Sequence, residues 1–315
     1  MLRAMTHRLI SCALLSAAAL SFTSCGNDDD LPVMAGNTQA ASGQGEALYV
    51  KAKQADDAGK VGRAIKLYDE TATKYPFAPS APQARFRQAE LLEKKGDIEE
   101  AFTAYQQFLT RYNGAGLYTT ALSRQASMAQ SAAEGDVKTS FLGLKSKLSL
   151  EKTVEMLGKV RDNAPKSRTA SKAQFTIGEL YQAKGKAKEA IAAYRQLVRD
   201  QPDSPEAPEA LFRVGLIFMK EADRGNQNQA NLDLSREAFN DYLIQYPNHS
   251  RNAEAHKLIA GLGSRDLQRS FDIAEFYLKT GKTESAKVYY RDVVKRTGSG
   301  KLHDDARSRL KQLGE

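Results

Sequence analysis

Cysteine is almost absent from this sequence, with Cys12 and Cys25 the only two among 315 residues. Because both lie near the amino terminus, the rest of the chain cannot form a disulfide and must be stabilised by packing. The four histidines are scattered, with no cysteine or cluster of carboxylates beside them, and no nucleophile motif or phosphate loop is present. The sequence therefore predicts no metal site, no cofactor, no small-molecule substrate and no enzymatic activity.

Long apolar runs are missing beyond the first residues. The run from Leu9 to Phe22 follows two arginines and is too short to span a bilayer, which is typical of an export signal. Phe22-Thr23-Ser24-Cys25 resembles a bacterial lipobox, although Phe22 stands where leucine is usual. We therefore predict a lipoprotein signal peptide over residues 1–24, with Cys25 carrying acyl chains such as palmitate. The alternative is an ordinary secretory signal that is cut elsewhere, with Cys25 a free thiol.

Residues 25–45 are predicted to join the lipidated cysteine to the folded body as a flexible linker, because small and polar residues dominate them. Gly43 and Gly45 are interpreted as spacer residues within it. Gly26, and not an aspartate, follows Cys25, and in lipobox proteins this context resembles sorting to the outer membrane. We expect a body that is anchored there by lipid and faces the periplasm.

A repeated pattern organises the remaining chain: a glycine, an alanine five residues later and an aromatic residue four after that. Copies at one spacing predict helical hairpins, and small residues face each other where helix A and helix B of a hairpin cross. The predicted fold is an all-α tetratricopeptide-repeat solenoid of helix-turn-helix units over residues 46–315. The copies are Gly59–Ala64–Tyr68, Gly96–Ala101–Tyr105, Gly185–Ala190–Tyr194 and Gly281–Ala286–Tyr290.

The same spacing divides the solenoid into units and leaves two irregular stretches. An exposed loop around Asp223–Asn231 is predicted to separate the helices of one unit. An extra helix is predicted over Asn252–Leu262. The predicted units are about 46–79, 82–115, a degenerate 116–167, 170–204, 208–248 and 266–300, with a capping helix at 302–313.

One position of helix A is aromatic in five units and provides the candidate partner-binding site. The rings either line the groove of the solenoid, where they suit recognition of a peptide segment, or fill the core of each hairpin. Basic residues on a similar face are candidates for holding acidic groups. The ring residues are Tyr49, Phe86, Phe175, Phe212 and Phe271, and the basic residues are Lys53, Arg87, Arg213 and Lys220.

The chain resembles the BamD family of outer-membrane lipoproteins, which act in β-barrel assembly. The resemblance rests on Ala47-Leu48-Tyr49, on the turn Tyr75-Pro76-Phe77-Ala78-Pro79, and on Phe271 to Tyr277 followed by Gly281. It implies a non-enzymatic scaffold that binds the barrel-forming subunit and outer-membrane protein precursors, with Phe77 a candidate contact. Since the family usually has five repeats, the region from Gly116 to Pro205 is interpreted as an addition.

Two other functions stay open from the sequence. One is a tetratricopeptide lipoprotein scaffold for a different envelope machine, in secretin or pilus assembly or in cell-wall coordination. The other is a periplasmic enzyme whose site lies in the insertions. The segment Lys279–Glu315 carries ten basic and five acidic residues. For a protein held in the envelope, this charge predicts contact with acidic proteins or anionic lipids and not with nucleic acid, and the alternative is a solvated basic face that binds no partner.

Overall fold

The computed structural model describes residues 38–141, 144–224 and 229–315, so the predicted signal peptide and Cys25 lie outside the described residues. Successive helices of the described chain pack in pairs, and the predicted all-α tetratricopeptide solenoid is confirmed. None of the described helices combines the length and the apolar character needed to cross a membrane. The helices are α1 (Thr38–Asp57), α2 (Val61–Lys74), α3 (Ala81–Lys95), α4 (Ile98–Arg111), α5 (Tyr118–Glu134), α6 (Leu150–Asn163), α7 (Arg168–Ala183), α8 (Ala187–Asp200), α9 (Ala207–Arg224), α10 (Gln229–Gln245), α11 (Asn252–Lys279), α12 (Thr283–Arg296) and α13 (Lys301–Gln312).

The repeat glycine ends helix A in the left-handed conformation. Gly96 follows α3 with φ 89°, and its N–H donates to the carbonyl of Glu93 while the next N–H, from Asp97, donates to the carbonyl of Leu92. These bonds satisfy carbonyls that the helix end leaves unpaired, and glycine adopts the conformation without a steric cost. The chain therefore turns within two residues and starts helix B.

Small residues stand where the two helices of a hairpin cross, as the repeat predicts. Ala52, Ala89 and Ala274 of helix A are fully buried. Gly178 and Gly215 take this position in α7 and α9, and a Cβ at either would lie 2.4–2.9 Å from the ring of Tyr194 or Phe239 in helix B. Ordinary carbon contacts are longer than this, so the aromatic ring of helix B occupies the space that a side chain would need.

The degenerate unit holds the only strands in the described residues. Between α5 and α6 the chain forms an antiparallel hairpin of β1 (Lys138–Phe141) and β2 (Leu144–Lys147), with Lys138 opposite Lys147. The unit predicted as degenerate is therefore a helix pair whose connection is lengthened by a short β-hairpin.

The predicted linker is partly helical, which corrects its boundary. The first helix begins at Thr38, so the residues up to Glu46 extend helix A of the first unit. Gly45 is buried, and a Cβ there would lie 2.7 Å from Cβ of Ala78 and 2.8 Å from that of Tyr75. Glu46 also accepts a hydrogen bond from the N–H of Ser80 at 2.9 Å. Gly45 is thus a close-contact residue between α1 and the first turn, and not a spacer.

Two further differences concern the second half of the chain. The extra helix Asn252–Leu262 and helix A of the last unit are one continuous helix, α11. The predicted loop Asp223–Asn231 is shorter, because α9 continues to Arg224 and α10 already begins at Gln229. Contacts to α11 help to explain both extensions: Asp223 pairs with Arg265 at 2.5 Å, and Gln229 accepts from Arg269 at 2.8 Å.

We predict opposite effects for alanine at two helical glycines. Gly178→Ala forces the ring of Tyr194 to move and should lower the free energy of unfolding by about 1–3 kcal/mol. Gly158→Ala, inside α6 and with no atom within 4 Å of the new Cβ, should raise it by about 0.5–1 kcal/mol. Urea unfolding of both variants measures the difference. Equal effects would contradict the close contact at Gly178.

Candidate partner-binding surfaces

The five helix-A rings pack against aromatic rings of helix B in their own hairpins. Phe86 meets Tyr105 and Phe108 with ring centroids 5.5 and 5.6 Å apart, and Phe212 meets Phe239 and Tyr242 at 5.1 and 5.3 Å. These edge contacts are a favourable arrangement for aromatic pairs. Phe271 meets Tyr290 edge-on at 5.5 Å, and tilted ring pairs join Tyr49 to Tyr68 at 5.7 Å and Phe175 to Tyr194 at 5.4 Å.

Burial corrects the groove interpretation of this series. Phe86 is 6% exposed and Phe212 is not exposed at all, so groove exposure is wrong for these two residues. Tyr49, Phe175 and Phe271 are half-buried. The crossing residues are too small to fill the hairpin, and the two aromatic rings fill it in their place. The helix-A rings are chiefly core, with an accessible edge in three of the units.

A hydrogen-bonded arrangement, here called the tyrosine clamp, joins one hairpin to the next. In the first unit the hydroxyl of Tyr68 donates to Asp56 of α1 at 3.3 Å, and Arg87 of α3 donates to both oxygens of that carboxylate at 2.7 and 3.2 Å. The clamp thus consists of a helix-B tyrosine, an acceptor on helix A and an arginine from the following helix.

The clamp recurs along the chain with small variations. Glu93 accepts from Tyr105 at 3.0 Å and from Arg124 at 3.2 Å, and Glu275 accepts from Tyr290 at 2.5 Å and pairs with Arg309 of α13 at 2.9 Å. In the fourth unit the hydroxyl of Tyr194 donates to Gln182 at 2.8 Å and accepts from Arg213 at 3.1 Å. The fifth unit has Phe239 at the tyrosine position and therefore lacks the clamp.

The electrostatics of the clamp follow from burial and pairing. The hydrogen bond from Arg87 is the largest cause that lowers the pKa of Asp56. Burial is the largest cause that raises the pKa of Tyr194 to about 12. Burial likewise raises the pKa of Tyr68, Tyr105 and Tyr290. Asp56 is thus charged and the tyrosines are neutral donors at neutral pH, so the clamp is a structural network and not a proton-transfer site.

The four basic residues predicted to contact a partner differ in their surroundings: the two arginines are paired within the chain, and the two lysines are exposed. Arg87 also bonds Glu90, and Arg213 pairs with Glu179 and Glu209 at 2.9 Å while its guanidinium lies 4.8 Å from the ring centre of Phe175. These two arginines are therefore paired within the chain, and their role in partner binding stays a prediction. Lys53 is exposed and pairs with Asp57, and Lys220 is exposed.

The predicted turn motif is divided between packing and exposure. Pro76 is buried, and the hydroxyl of Tyr75 donates to Gln44 of α1 at 3.2 Å. Phe77 lies on the outside of the turn and is 79% exposed. Because its ring is exposed, Phe77 is an available contact residue.

A groove in the degenerate unit has no counterpart among the sequence predictions. It lies between α5 and α7, with a volume of about 460 Å³, and both polar and apolar side chains line it. Leu157 and Val160 of α6 form its apolar floor, while Arg168 and Lys172 of α7 supply positive charge at its edge. This unit lacks the glycine, alanine and aromatic spacing of the others. The sequence therefore did not predict that α5 pairs with α6, nor the groove beside them.

Chemistry-bearing groups do not cluster in the described part of the chain. Among those residues no group of three or more His, Cys, Asp or Glu side chains is placed to hold a metal ion. His249 accepts or donates a hydrogen bond with the hydroxyl of Tyr242 at 2.6 Å, and His303 contacts Thr297. Both histidines are therefore engaged in local packing at turns.

We predict that Phe86→Ala lowers the free energy of unfolding by about 3–5 kcal/mol, because it leaves a cavity between Tyr105 and Phe108. Phe77→Ala is the matched control and should change stability by less than about 0.5 kcal/mol, since its ring is exposed. Chemical denaturation of both variants tests this. If the Phe86→Ala protein were as stable as the unaltered one, the ring of Phe86 would lie in the groove and not in the core.

Comparison with protein families gives two matches. A tetratricopeptide-repeat model matches residues 49–116, which contain α2, α3 and α4 and the carboxyl-terminal part of α1. The YfiO model, described as an outer membrane lipoprotein, matches residues 144–301, from β2 to the start of α13. This second match spans half of the chain. It includes residues 144–205, so the region from Gly116 to Pro205 is not an addition as a whole.

No curated protein matches the chain significantly. Solved structures with related folds include a tetratricopeptide repeat protein from Parabacteroides merdae ATCC 43184, 16% identical, covering 86% of this chain and 99% of that one, with a TM-score of 0.29. MamA from Desulfovibrio magneticus RS-1 is 14% identical over 65% of this chain and 97% of its own, with a TM-score of 0.29. YrrB, a tetratricopeptide protein with an unusual peptide-binding site, is 14% identical over 70% and 99%, with a TM-score of 0.30. Similarity at this level supports no inference about binding.

Proposed function

The chain belongs to the outer membrane lipoprotein family whose model it matches, and we propose that it is a lipid-anchored scaffold of the outer-membrane β-barrel assembly machinery. It binds partner subunits of that machinery and unfolded outer-membrane protein precursors, and it catalyses no reaction. The observation that carries the proposal is the family match over residues 144–301, together with the lipobox that ends at Cys25.

The described surface supports a binding role. A solenoid presents many side chains along successive units. Its recognition surface is therefore extended, whereas a globular enzyme typically has one deep cleft. The groove between α5 and α7, the accessible edges of Tyr49, Phe175 and Phe271, and the exposed Phe77 are the candidate contacts. Large rings at accessible edges give contact area at a low entropic cost.

The proposed anchor explains how a chain whose described helices do not cross a membrane stays at one. Acyl chains on Cys25 would hold the folded body against the inner leaflet of the outer membrane, and residues 26–37 would separate the two. Each buried methylene of an acyl chain contributes about 0.8 kcal/mol, so more than one chain gives stable attachment.

Affinity purification tests the assembly role. We expect the full chain, solubilised in detergent from its native membrane, to co-purify with an outer-membrane barrel protein that has periplasmic repeat domains. Mass spectrometry identifies the partner. Recovery of secretin, pilus or cell-wall components, with no such barrel protein, would contradict the proposal and favour a scaffold of another envelope machine.

Substitution of the anchor tests the attachment separately. Cys25→Ala should abolish labelling with radioactive palmitate and move the protein out of the outer-membrane fraction, whereas Cys12→Ala should change neither. Membrane fractionation with palmitate labelling measures both effects. If the Cys25→Ala protein kept its label, Cys25 would not be the lipidated residue.

A further inference from the structure

In each helix A, the side chains that contact helix B of the preceding unit occupy the same three positions, here called the register. Counted from the small crossing residue, the residues five before, one before and two after it pack on helix B of the preceding unit. In α9 these are Ala210, Val214 and Ile217, which share a core cluster with Ala190 and Tyr194 of α8. In α3, Ala84 and Leu91 pack with Tyr68 of α2 in the same way.

The long helix α11 carries this register twice. In its first half, Ala255, Ile259 and Leu262 stand at the three offsets from Ala260 and pack with Phe239 and Tyr242 of α10. In its second half, the same offsets from Ala274 fall on Arg269, Ile273 and Phe276. The chain runs from one register to the next without leaving the helix. A helix B is therefore missing between them. The apolar packing on α10 involves only the first register, and from the second register Arg269 donates a hydrogen bond to Gln229 of α10 at 2.8 Å.

The second register is accordingly uncovered. Phe276 is 59% exposed, while Leu91 and Ile217 at the same offset are 4% and 5% exposed. The ring of Phe276 lies against Tyr277, with centroids 5.8 Å apart. Ile273 belongs to none of the apolar clusters in the described part of the chain. Phe276 and Ile273 thus occupy positions that are buried in the core of other units. Exposed apolar residues at such positions indicate an interaction surface.

The chain itself indicates what covers such a face. In the other units with this register the cover is an amphipathic helix B, as in the packing of Ala190, Tyr194 and Leu197 of α8 on α9. A single amphipathic helix therefore has the shape that this surface accepts. Arg269 stands where Ala84, Ala173 and Ala210 stand in other units, and it donates a hydrogen bond to Gln229 at the start of α10, so this end of the face is already occupied.

Charge points to the partner's chemistry. Lys279 and Lys282 are exposed at the other end of the face, and Lys282 lies 5.8 Å from the ring centre of Tyr277. The segment that starts at Lys279 has ten basic residues against five acidic ones, and the whole chain has a formal charge of +8. A second copy of this chain would bring more positive charge to the surface, whereas acidic side chains would be attracted.

We propose that the face formed by Ile273 and Phe276 binds an acidic amphipathic helix of a partner protein in the place of the missing helix B. The bound helix lies along the second half of α11, buries Phe276 and Ile273, and presents carboxylates to Lys279 and Lys282. The inference is independent of the barrel-assembly role, because it concerns how a helix is held and not which machine supplies it.

The probe is a helix-stapled 14-residue peptide with the sequence of α8, residues 187–200, in which Lys188, Arg195 and Arg199 are each replaced by Glu. These three positions are exposed in α8, so the apolar face is unchanged. We expect fluorescence anisotropy to show saturable binding to the full chain in detergent, weakened at high salt. The unmodified α8 peptide should bind at least about tenfold more weakly, because it carries basic residues at those positions.

Variants of the protein locate the site. Phe276→Ser should reduce the affinity for the acidic peptide by about tenfold or more, as expected for a central aromatic contact, without lowering the melting temperature. Ile244→Ser is the matched control, because Ile244 is also an exposed apolar residue, at 76%, but lies on α10. It should bind like the unaltered protein.

Four outcomes would overturn the proposal. These are the absence of binding by the acidic peptide, equal binding by the two peptides, an affinity that Phe276→Ser leaves unchanged, and concentration-dependent dimerisation that Phe276→Ser abolishes. The last result would assign the face to a second copy of the chain. Co-purification of a barrel protein is unaffected by any of them, so this test and that of the assembly role fail separately.

Discussion

The close crossing of helix A and helix B is the constraint on which the rest of the structure depends. At Gly178 and Gly215 the ring of the helix-B aromatic occupies the place of a Cβ, and at Ala52, Ala89 and Ala274 the small side chain is fully buried. This approach leaves room for one further ring from helix A, which packs edge-on against the first. The aromatic pair then fills each hairpin, and it sets where the hydroxyl of the helix-B tyrosine lies.

The hydroxyl of the helix-B tyrosine links the packing of one hairpin to the next hairpin through hydrogen bonds. It reaches an acceptor near the end of helix A, and where that acceptor is a carboxylate it also pairs with an arginine of the following helix, as in Tyr68, Asp56 and Arg87. Neighbouring hairpins are thus joined by charge-assisted hydrogen bonds as well as by apolar packing. The fifth unit has Phe239 instead of a tyrosine, and the helix that follows it, α11, continues past its contact with α10 into helix A of the last unit. Its second half has no preceding helix B, so an apolar face is left uncovered there.

The repeat spacing was sufficient to predict the fold class and most helices, because glycine ends, small crossing residues and aromatic positions are set by local geometry. The predicted structure of two stretches was wrong for the same reason. Thr38–Glu46 and the junction at Gly263 are rich in small or polar residues that read as linker or helix end, yet packing on the turn at Ala78 and on α10 keeps them helical. The ring series had two interpretations because core and groove positions share one helical period, and only burial separates Phe212 from Tyr49. The clamp had a signal that was overlooked, a carboxylate with a tyrosine 12 residues later and an arginine 31 residues later, as at Asp56 and Glu93.

A double-mutant cycle at Asp56 and Arg87 tests most directly whether the clamp couples neighbouring hairpins. Asp56→Ala, Arg87→Met and the double variant are compared by urea unfolding at neutral pH, where the lowered pKa of Asp56 keeps it charged. The account predicts that each single change is destabilising, because it leaves a partly buried partner unpaired, and that the double variant loses less than the sum by about 1–3 kcal/mol. Effects that add to within about 0.5 kcal/mol would show that the two hairpins are held together by apolar packing alone.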